Sequence, residues 1–442
     1  MKEGALSLKF ELLHPADQLV LMMNRIYEGG MTTTSGGNLS ILDENGDIWI
    51  TPSGIDKGTL TRGDMCCVKT DGTVIGPHKP SVELPFHATI YKRRPNLRAV
   101  LHAHPPALVA FSVARVLPNF KLVANAFIEL GKISMAPYAT PGSQLLGNNI
   151  ADEFEKGFDI VVLENHGVVI GAENLFEAFM KFETLETGAN LDLNARKLIS
   201  QANGGKLKSL SESELNLTTV RDNLLMDEFV PNKHSAEERA VRRDMINLIH
   251  RSYHQRLFVS TQGTYSARLS DGSFLITPFG IDRAYMDVND LVLIKHGMKE
   301  QGKIPSRSVK LHLLVYEKHP EIRSILGANP THAMAFAVSD VQLDPRTIPE
   351  SYIMLREIKK VPFSAIYMKP DMVAEMFSEK TPVLLCENNQ ILSSGDSLLN
   401  AFDRLEVTEA TAHSIILANE IGALVHISGD EIEDINKVFH LD

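Results

Sequence analysis

The 442 residues suffice for two or three domains, and a hydrophobic fraction of 44% suffices for sizeable cores. A formal net charge of −11 argues against nucleic acid or an anionic membrane as the main partner. The three cysteines are too few for a disulfide framework, no apolar run reaches the length of a membrane span, and the N-terminus lacks the apolar core of a signal peptide, so we expect a cytoplasmic enzyme or binding protein.

The first predicted elements are a helix and the loop that follows it. Apolar residues recur at helical spacing from His14-Pro15 onward, and Gly29-Gly30 ends the pattern. Residues 32–40 are rich in hydroxyl groups and glycine, a composition that can turn backbone N–H groups toward an anion such as phosphate. An ordinary tight turn explains the same residues equally well. Two strands are predicted next, at 39–42 and 47–51, joined by a hairpin turn.

The segment 100–105 carries the first candidate metal ligands. His102 and His104 lie two residues apart in an apolar run that predicts a strand, so both imidazoles project from one face. Zinc and related ions take neutral imidazole ligands, and a catalytic site usually has three protein ligands. Two histidines at the exposed end of a strand remain the alternative for this pair taken alone. A helix over residues 85–93 is expected to pack against the histidine strand.

A third candidate ligand lies in residues 161–170. There a polar triplet that ends in His166 interrupts a β-branched run, as happens when a strand carries a functional group to its end. A lone histidine at such a place is more often structural, but this interruption complements the histidine pair. Upstream, Glu83 offers a carboxylate that could act as a fourth ligand or as a base. A long helix is predicted to follow, over residues 175–193.

The second half of the chain repeats the first. Residues 277–282 parallel residues 51–56 closely, and the elements around them recur in the same order. A repeat of this length indicates two homologous domains rather than a solenoid. The join between them falls in the polar, glycine-containing stretch 203–233, with a short helical segment near 215–225.

The repeat allows one half of the sequence to be compared with the other. Residues that maintain the fold should persist in both copies, whereas chemistry can be lost from one. The candidate reactive side chains are all replaced in the second copy: His102 by Gly327, His104 by Asn329, His166 by Asn389, Glu83 by Ser308 and Tyr138 by Phe363. His87 persists as His312, so we assign both of these histidines to helix structure. The joint loss indicates a shared role, and we predict a metal site in the first copy only.

Both halves resemble the class II aldolase/adducin family, whose best-known members are fuculose-phosphate aldolase and ribulose-5-phosphate 4-epimerase. The resemblance is carried by Gly36-Gly37-Asn38-Leu39-Ser40, Thr51-Pro52-Ser53-Gly54-Ile55, Ser81-Val82-Glu83, His102-Ala103-His104, Ala136-Pro137-Tyr138-Ala139-Thr140 and Glu164-Asn165-His166-Gly167. It implies two homologous three-layer αβα domains, each around a mainly antiparallel sheet. Residues 10–225 would form the domain with the metal site, and residues 234–442 a degenerate copy without metal ligands.

The resemblance also implies a role for each site residue. His102, His104 and His166 would hold about one Zn²⁺ per chain, or another divalent metal, to stabilise an enediolate. Glu83 would ligate the ion in the resting site and then carry the proton at the enediolate carbon. Tyr138, contributed across a subunit or domain boundary, would assist at the aldehyde oxygen. The substrate phosphate would bind Asn38, Ser53, Gly54 and Ser81. The implied enzyme is a zinc-dependent class II aldolase, which cleaves or forms a C–C bond in a ketose phosphate or related sugar.

Two departures from the family pattern keep other activities open. Val82 stands where the aldolases commonly have a second serine, which leaves room for a substrate that is not phosphorylated or is charged differently. The 4-epimerases commonly have Asp at the position of Glu83, so Glu83 favours the aldolase. A 4-epimerase, a decarboxylase or a dehydratase of a sugar derivative remains an alternative, as does a non-enzymatic scaffold like the adducin head domain.

The resemblance further implies an oligomer. Family members usually form fourfold-symmetric assemblies with active sites between subunits. Since a tandem chain supplies two neighbours itself, we expect the metal-free domain beside the metal-bearing one and a pseudo-fourfold homodimer, or a higher homo-oligomer. The expected partner is a small sugar or sugar phosphate, with no nucleic acid and no membrane.

Overall fold

The computed structural model describes residues 9–201, 205–218 and 226–441. Contacts among these residues separate two units. The first unit consists of Lys9–Phe120 and Ala126–Asn190, and the second of Lys121–Asn125 and the residues from Leu191 onward. Within the described ranges, no helix has both the length and the apolar composition needed to cross a membrane.

The domain boundaries at 10–225 and 234–442 stay a prediction. Residues from 191 to 218, which the sequence places in the first domain, group by their contacts with the second unit. The predicted ends at Leu225 and Asp442 lie outside the described residues, as does part of the join. Of the short helical segment predicted near 215–225, the structure describes a helix at Glu212–Leu217, and residues 219–225 lie outside the description.

The first predicted elements of the chain are confirmed. Helix α1 (Pro15–Glu28) begins after its N-cap His14, whose imidazole accepts a backbone hydrogen bond, and it ends at the predicted glycine pair. Strands β1 (Asn38–Leu42) and β2 (Ile48–Ile50) form the predicted hairpin. The carboxylate of Asp43 accepts hydrogen bonds from two backbone N–H groups of the turn, which fixes the register of the pair.

The remaining elements of the first repeat complete a single sheet with its helices. They are β3 (Cys66–Val68), β4 (Val74–Ile75), α2 (Leu84–Arg93), β5 (Ala99–Ala103), α3 (Pro106–Ala114), α4 (Ala124–Leu130), β6 (Ile133–Ala136), α5 (Gln144–Glu155), β7 (Ile160–Leu163), β8 (Val168–Ala172) and α6 (Leu175–Gln201). The sheet order is β4-β3-β2-β1-β5-β8-β7-β6, and every neighbouring pair is antiparallel except β6 and β7. The predicted helices at 85–93 and 175–193 are therefore confirmed as parts of α2 and α6.

Helices cover both faces of this sheet. On one face, α2 and α5 pack over an apolar cluster that includes Val100 of β5, Val161 of β7 and Val169 of β8. On the other face, α1 packs against β1 and β2. Since side chains alternate along a strand, His102 lies on the same face as Val100, and its ring contacts Phe86 of α2 edge to face. The predicted packing of α2 against the histidine strand is confirmed.

The second unit repeats this architecture. Its elements are α7 (Glu212–Leu217), β9 (Glu228–Phe229), α8 (Ala236–His254), β10 (Thr264–Arg268), β11 (Phe274–Ile276), β12 (Val292–Lys295), β13 (Met298–Glu300), α9 (Val309–Lys318), β14 (Ser324–Ala328), α10 (Thr331–Ala337), α11 (Pro349–Leu355), β15 (Ile358–Val361), α12 (Phe363–Met368), α13 (Pro370–Glu375), β16 (Val383–Cys386), β17 (Gln390–Gly395), α14 (Leu398–Ile421) and α15 (Gly429–Phe439). The strand order β15-β16-β17-β14-β10-β11-β12-β13 matches that of the first sheet element by element, and β9 is added at the edge.

Two apolar clusters sandwich the second sheet. One lies between the sheet, α8, α10 and α14, and the other between the sheet, α9 and α13. Only the pairs β13–β9 and β15–β16 are parallel. The predicted fold, two homologous three-layer αβα domains around mainly antiparallel sheets, is confirmed.

The shared framework includes a buried histidine in each repeat. The Nδ1 atom of His87 lies 2.7 Å from the hydroxyl of Ser40, which also contacts the hydroxyl of Tyr91 at 2.7 Å. In the second repeat, His312 makes the corresponding contact with the hydroxyl of Ser266 at 2.7 Å. In both repeats the histidine thus ties a helix to the central strand hairpin, as a structural residue would.

A stability prediction follows from the glycine between the hydroxyl-rich loop and β1. Gly37 has φ +72, and a Cβ at this position would lie 2.7 Å from the backbone carbonyl of His102. Gly72 has a similar φ of +87 but open space around it, so it is the matched control. Gly72→Ala should lower the free energy of unfolding by about 1 to 2 kcal/mol, the cost of left-handed backbone in an L-residue. Gly37→Ala should cost at least about 1 kcal/mol more, because a carbonyl of the neighbouring strand must move.

Trp49 on β2 provides the readout, because it is the single tryptophan of the chain and lies in the same sheet. Urea unfolding followed by its fluorescence measures both variants. Equal losses for the two alanine variants would show that the close approach of Gly37 to β5 is not a constraint.

Candidate metal centre

His102 occupies the centre of the first sheet. It lies on β5 opposite Asn38 of β1 and Val169 of β8. Its Nδ1 donates a hydrogen bond to the carbonyl of Val168 at 2.9 Å, which fixes the tautomer and leaves a lone pair on Nε2. This Nε2 is buried and accepts no hydrogen bond from the described residues. A buried acceptor without a donor is the state expected of a metal ligand before the metal is bound.

His104 follows β5 directly, where the strand gives way to Pro105. Its ring centroid lies 4.7 Å from that of His102, and its Nε2 is likewise buried without a hydrogen-bond partner among the described residues. A Cβ on Gly36 would lie 2.9 Å from Nδ1 of His104. The glycine of the hydroxyl-rich loop therefore leaves the space that the second imidazole occupies.

His166 lies in the tight turn between β7 and β8. The residue before it, Asn165, has φ +54, and a Cβ on Gly167 would lie 2.5 Å from the carbonyl of Ala103. Both features bend the turn toward the end of β5. The centroid of the His166 ring lies 4.9 Å from that of His102 and 5.0 Å from that of His104.

The structure therefore brings the three sequence-predicted histidines together. One nitrogen from each lies within 4.8 Å of the others, and within the described part of the chain no other group of three or more His, Cys, Asp or Glu side chains has a metal-binding arrangement. Burial lowers the pKa of His102 and His104 to about 3 and also lowers that of His166. All three imidazoles are thus neutral near pH 7, the form that ligates a metal. This donor set fits zinc or a related divalent ion.

Glu83 stands beside the triad, at the N-terminus of α2. Its Oε2 lies 3.4 Å from Nε2 of His102, and its Oε1 lies 4.0 Å from Nε2 of His166. The amide of Asn38 donates a hydrogen bond to Oε2 at 2.6 Å. One carboxylate oxygen is thereby fixed, and the arrangement is compatible with either proposed role, a fourth ligand or a base.

A buried relay that sequence reasoning missed orients this carboxylate. Nε2 of His87 donates to Oδ1 of Asn38 at 2.5 Å, and the Nδ1 of the same ring accepts from the hydroxyl of Ser40. Since the amide oxygen can only accept, the His87 ring must be protonated on Nε2, and the Asn38 NH2 group must face Glu83. Burial lowers the pKa of His87 well below its usual value, so the relay is uncharged. The spacing of Glu83 and His87 puts both at the start of one helix, but it does not show how the amide of Asn38 is turned between them.

The predicted phosphate-binding residues line one pocket together with His104 and His166. Its lining comprises Ser35, Gly37, Asn38, Pro52, Ser53, Gly54, Lys57, Ser81, Val82, Glu83, His104 and His166. Asn38 contributes to this wall, although its amide also holds Glu83 and His87. Lys57 was missed by the sequence analysis. A basic residue at the matching position of the second repeat, Arg283, was the signal that could have found it.

Tyr138 is placed differently from the other predicted residues. Its side chain is 54% exposed and is not part of the pocket lining. Its backbone N–H donates to the carboxylate of Glu164 at 3.1 Å, which anchors the segment to the turn that carries His166. Its role at the aldehyde oxygen across a boundary stays a prediction.

In the second repeat the matching positions satisfy one another. The amide of Asn329 donates to the carbonyl of Asn389 at 2.5 Å, and the amide of Asn389 donates to the hydroxyl of Tyr367 at 3.0 Å. A Cβ on Gly327 would lie 2.5 Å from the side-chain oxygen of Gln390, so glutamine fills the space beside the strand. The amide NH2 groups of Asn329 and Asn389 are thus used in internal hydrogen bonds.

Comparison with known proteins identifies the class to which this fold and site belong. The sequence model described as the class II aldolase and adducin N-terminal domain matches residues 17–193 and again residues 243–416. The chain therefore belongs to this family, with two copies of its domain, and the predicted tandem repeat is confirmed.

Individual relatives match about one repeat of this chain. The L-fuculose phosphate aldolase of Methanococcus maripaludis is 35% identical over 176 residues, which are 40% of this chain and 94% of the relative. The 3-oxo-tetronate 4-phosphate decarboxylase of Haemophilus influenzae is 30% identical over 203 residues, 45% of this chain and 93% of the relative. A solved L-fuculose 1-phosphate aldolase matches with 30% identity and a TM-score of 0.39, over 46% of this chain and 93% of its own.

The triad predicts that metal binding is confined to the first repeat. His104→Ala should weaken metal binding by well over about tenfold, since even the loss of an outer hydrogen-bond partner of a ligand typically costs that much. Asn329→Ala, the matched substitution in the second repeat, should leave the metal content unchanged. Metal analysis of both purified variants after loading and dialysis makes the measurement. A loss of metal in both variants, or in neither, would contradict the assignment.

Proposed function

We propose that this protein is a metal-dependent aldehyde-lyase that cleaves or forms a carbon–carbon bond in a ketose phosphate or a related sugar. The observation that supports it most is the trio of clustered imidazoles beside the fixed carboxylate of Glu83, two of which have a buried Nε2 without a hydrogen-bond partner among the described residues. The membership of both repeats in the class II aldolase family, and the two kinds of lyase among the relatives, agree with this activity.

The metal is held by His102, His104 and His166, with Glu83 within reach as a fourth ligand. We expect Zn²⁺, about one per chain, although the donor set also accepts other divalent ions. When bound, such an ion supplies Lewis acidity to the oxygens of a carbonyl substrate.

Glu83 moves the proton at the substrate carbon next to the carbonyl. Glu83 is only 7% exposed, so water is largely excluded from the carboxylate that carries the proton. Asn38 holds Oε2 in place, which leaves Oε1 as the oxygen able to take or return a proton. Asn38, Ser53, Gly54 and Ser81 hold the phosphate at the same pocket.

Decarboxylation is the second candidate reaction. Relatives named 3-oxo-tetronate 4-phosphate decarboxylase are 30% to 32% identical to this chain. An aldol cleavage needs a proton donor at the aldehyde oxygen, the role predicted for Tyr138 across a subunit or domain boundary. Loss of carbon dioxide needs no such donor, while the tasks of the triad and Glu83 stay the same. Both candidates share a substrate with a carbonyl next to the reacting carbon.

Substitution of Glu83 tests the proposed function. Glu83→Gln should retain the metal and lose activity by roughly a hundred to ten-thousandfold, because an amide cannot carry the proton. The assay compares fuculose, rhamnulose, ribulose and xylulose 1-phosphates with 3-oxo-tetronate 4-phosphate on the zinc-loaded full chain. Ser308→Ala, the matched position at the start of α9, is the control and should retain full activity. Turnover of every substrate by Glu83→Gln at the parent rate would refute the proposed proton transfer.

Assembly into a homodimer, or a higher homo-oligomer, and a cytoplasmic location are proposed on the family resemblance. Sedimentation of the full chain in an analytical ultracentrifuge should give at least twice the chain mass of 48.9 kDa. Sedimentation as a single chain at micromolar concentration would contradict the proposed assembly and leave the chemistry of the pocket unaffected.

A further inference from the structure

Three segments that the sequence places in the first repeat pack within the second unit, and we call them the inner arm. Their contacts group them with that unit and not with the first. Leu122, Leu191 and Leu198 of the inner arm are buried in its apolar core. The inner arm consists of residues 121–125, 191–200 and 206–210.

The inner arm binds the turn of the second repeat that corresponds to the turn between β7 and β8. Asn388, the counterpart of Asn165 in this turn, donates from its amide to the carbonyls of Leu122 at 2.9 Å and Lys208 at 2.6 Å. The backbone N–H of Lys208 donates to the carbonyl of Val338 at 2.8 Å. The inner arm thus covers this face of the second repeat, and Val338 has no exposed surface.

The corresponding face of the first repeat is exposed. Val113, at the position of Val338, is 56% exposed, and Asn165 is exposed as well. The side chain of Tyr138 is exposed, whereas Phe363 at its position in the second repeat is buried. The NH2 group of Asn165 donates no hydrogen bond to the described residues, and only its amide oxygen is used. Exposed apolar side chains grouped on one face indicate an interaction surface.

The second repeat ends in a matching set of segments, which we call the outer arm. In the outer arm the backbone N–H of Ile427 donates to the carbonyl of Arg346 at 2.9 Å. The inner arm has the same bond, from Leu210 to Lys121 at 3.0 Å. A helix with a serine capping box follows both, α7 after the inner arm and α15 after the outer arm. The outer arm consists of residues 346–350, 414–421 and 424–427.

Helix α14 exposes at its C-terminal end what α6 buries. The two helices align through Glu186 and Glu409, because each accepts bonds from two backbone N–H groups of the helix after the central strand. This alignment puts Ile421 at the position of Leu198. Leu198 is 1% exposed, whereas Ile421 is 89% exposed.

The segment after α14 is exposed as well. Since Ile427 corresponds to Leu210, Val425 corresponds to Lys208, and it is 87% exposed. No residue of α15 is buried. The outer arm therefore presents apolar side chains to solvent, and the first repeat exposes the kind of face that such an arm covers in the second unit.

We propose that the outer arm of a second copy of this chain covers the exposed face of the first repeat, and that two copies do so reciprocally. Val425 of one copy then lies beside Val113 of the other, as Lys208 lies beside Val338. The occupant is a second copy because the chain carries both halves of the contact, and reciprocal exchange closes the assembly with neither arm unused. This inference assigns an interaction surface, and it holds whichever reaction the pocket performs.

The proposed contact also encloses the turn that carries His166. Asn165, beside it, donates its unused NH2 group to the carbonyl of Thr347 in the outer arm of the other copy. Pro349 has no N–H, so the bond that Ala124 donates in the inner arm at 3.3 Å is not repeated. The second copy therefore becomes part of the surroundings of a candidate metal ligand.

Disulfide trapping tests the inference on the full chain. The double variant Val113→Cys with Val425→Cys should form a disulfide between chains under mild oxidation, because a backbone hydrogen bond between two residues brings them within disulfide range. Non-reducing electrophoresis should show a species of twice the chain mass. Val113→Cys with Leu399→Cys is the matched control, since Leu399 is exposed at the other end of α14. This pair should stay at the mass of one chain. The native cysteines are buried.

Sedimentation of Ile421→Asp gives a second measurement that does not depend on disulfide geometry. Ile421 is exposed in the single chain, so this variant should fold. A carboxylate buried in an apolar contact should weaken self-association by about a hundredfold or more. Leu399→Asp, on the same helix, should associate as the parent does.

The readout is mass, so a failure of the proposed chemistry does not affect the test. Equal cross-linking of the two cysteine pairs, or cross-linking of neither, overturns the inference. Unchanged association of Ile421→Asp also overturns it, and a parent chain that associates all the same does so through another surface. Zinc content and turnover, measured separately, decide the proposed function.

Discussion

The hydrogen bond from Nδ1 of His102 to the carbonyl of Val168 is the interaction on which the candidate metal centre depends. It joins β5 to β8 immediately after the turn that carries His166, so it sets the distance between two of the three ligands. It also fixes the tautomer that leaves Nε2 as a lone-pair donor. A slip of one residue in the β5–β8 register would turn His102 to the opposite face of the sheet and destroy the site.

The two repeats separate the residues that maintain the fold from those that carry chemistry. The framework persists in both repeats. Each has a buried histidine beside a serine hydroxyl, and each has a similar loop after β2 or β11. A buried basic residue, Lys57 or Arg283, bonds to the carbonyls of that loop. What differs is how the polar groups of the pocket are satisfied. In the second repeat Asn329, Asn389 and Tyr367 bond to one another, whereas in the first the Nε2 atoms of His102 and His104 have no hydrogen-bond partner among the described residues. Since a buried polar group without a partner is destabilising, a repeat that lost its metal would be expected to acquire such internal bonds.

Much of the fold and the metal triad could be predicted from the sequence, because both follow from local rules. Alternation of side chains along a strand places His102 on the same face as Val100. The polar triplet that interrupts a β-branched run indicates His166. The comparison of the two repeats shows which residues are replaced together. The relay from His87 through Asn38 to Glu83 could not be predicted, because it depends on which way an amide is turned inside the core. Lys57 was missed since its burial is set by the loop that folds over it. The exposure of Tyr138 likewise depends on tertiary structure that no sequence pattern encodes.

The central claim is that one repeat binds a catalytic metal and the other does not. Anomalous diffraction at the zinc edge from crystals of the zinc-loaded protein tests it most directly. The account predicts one strong peak per chain among the imidazole nitrogens of His102, His104 and His166. Absence of that peak, or a second peak of similar height near Asn329 and Asn389, would contradict it.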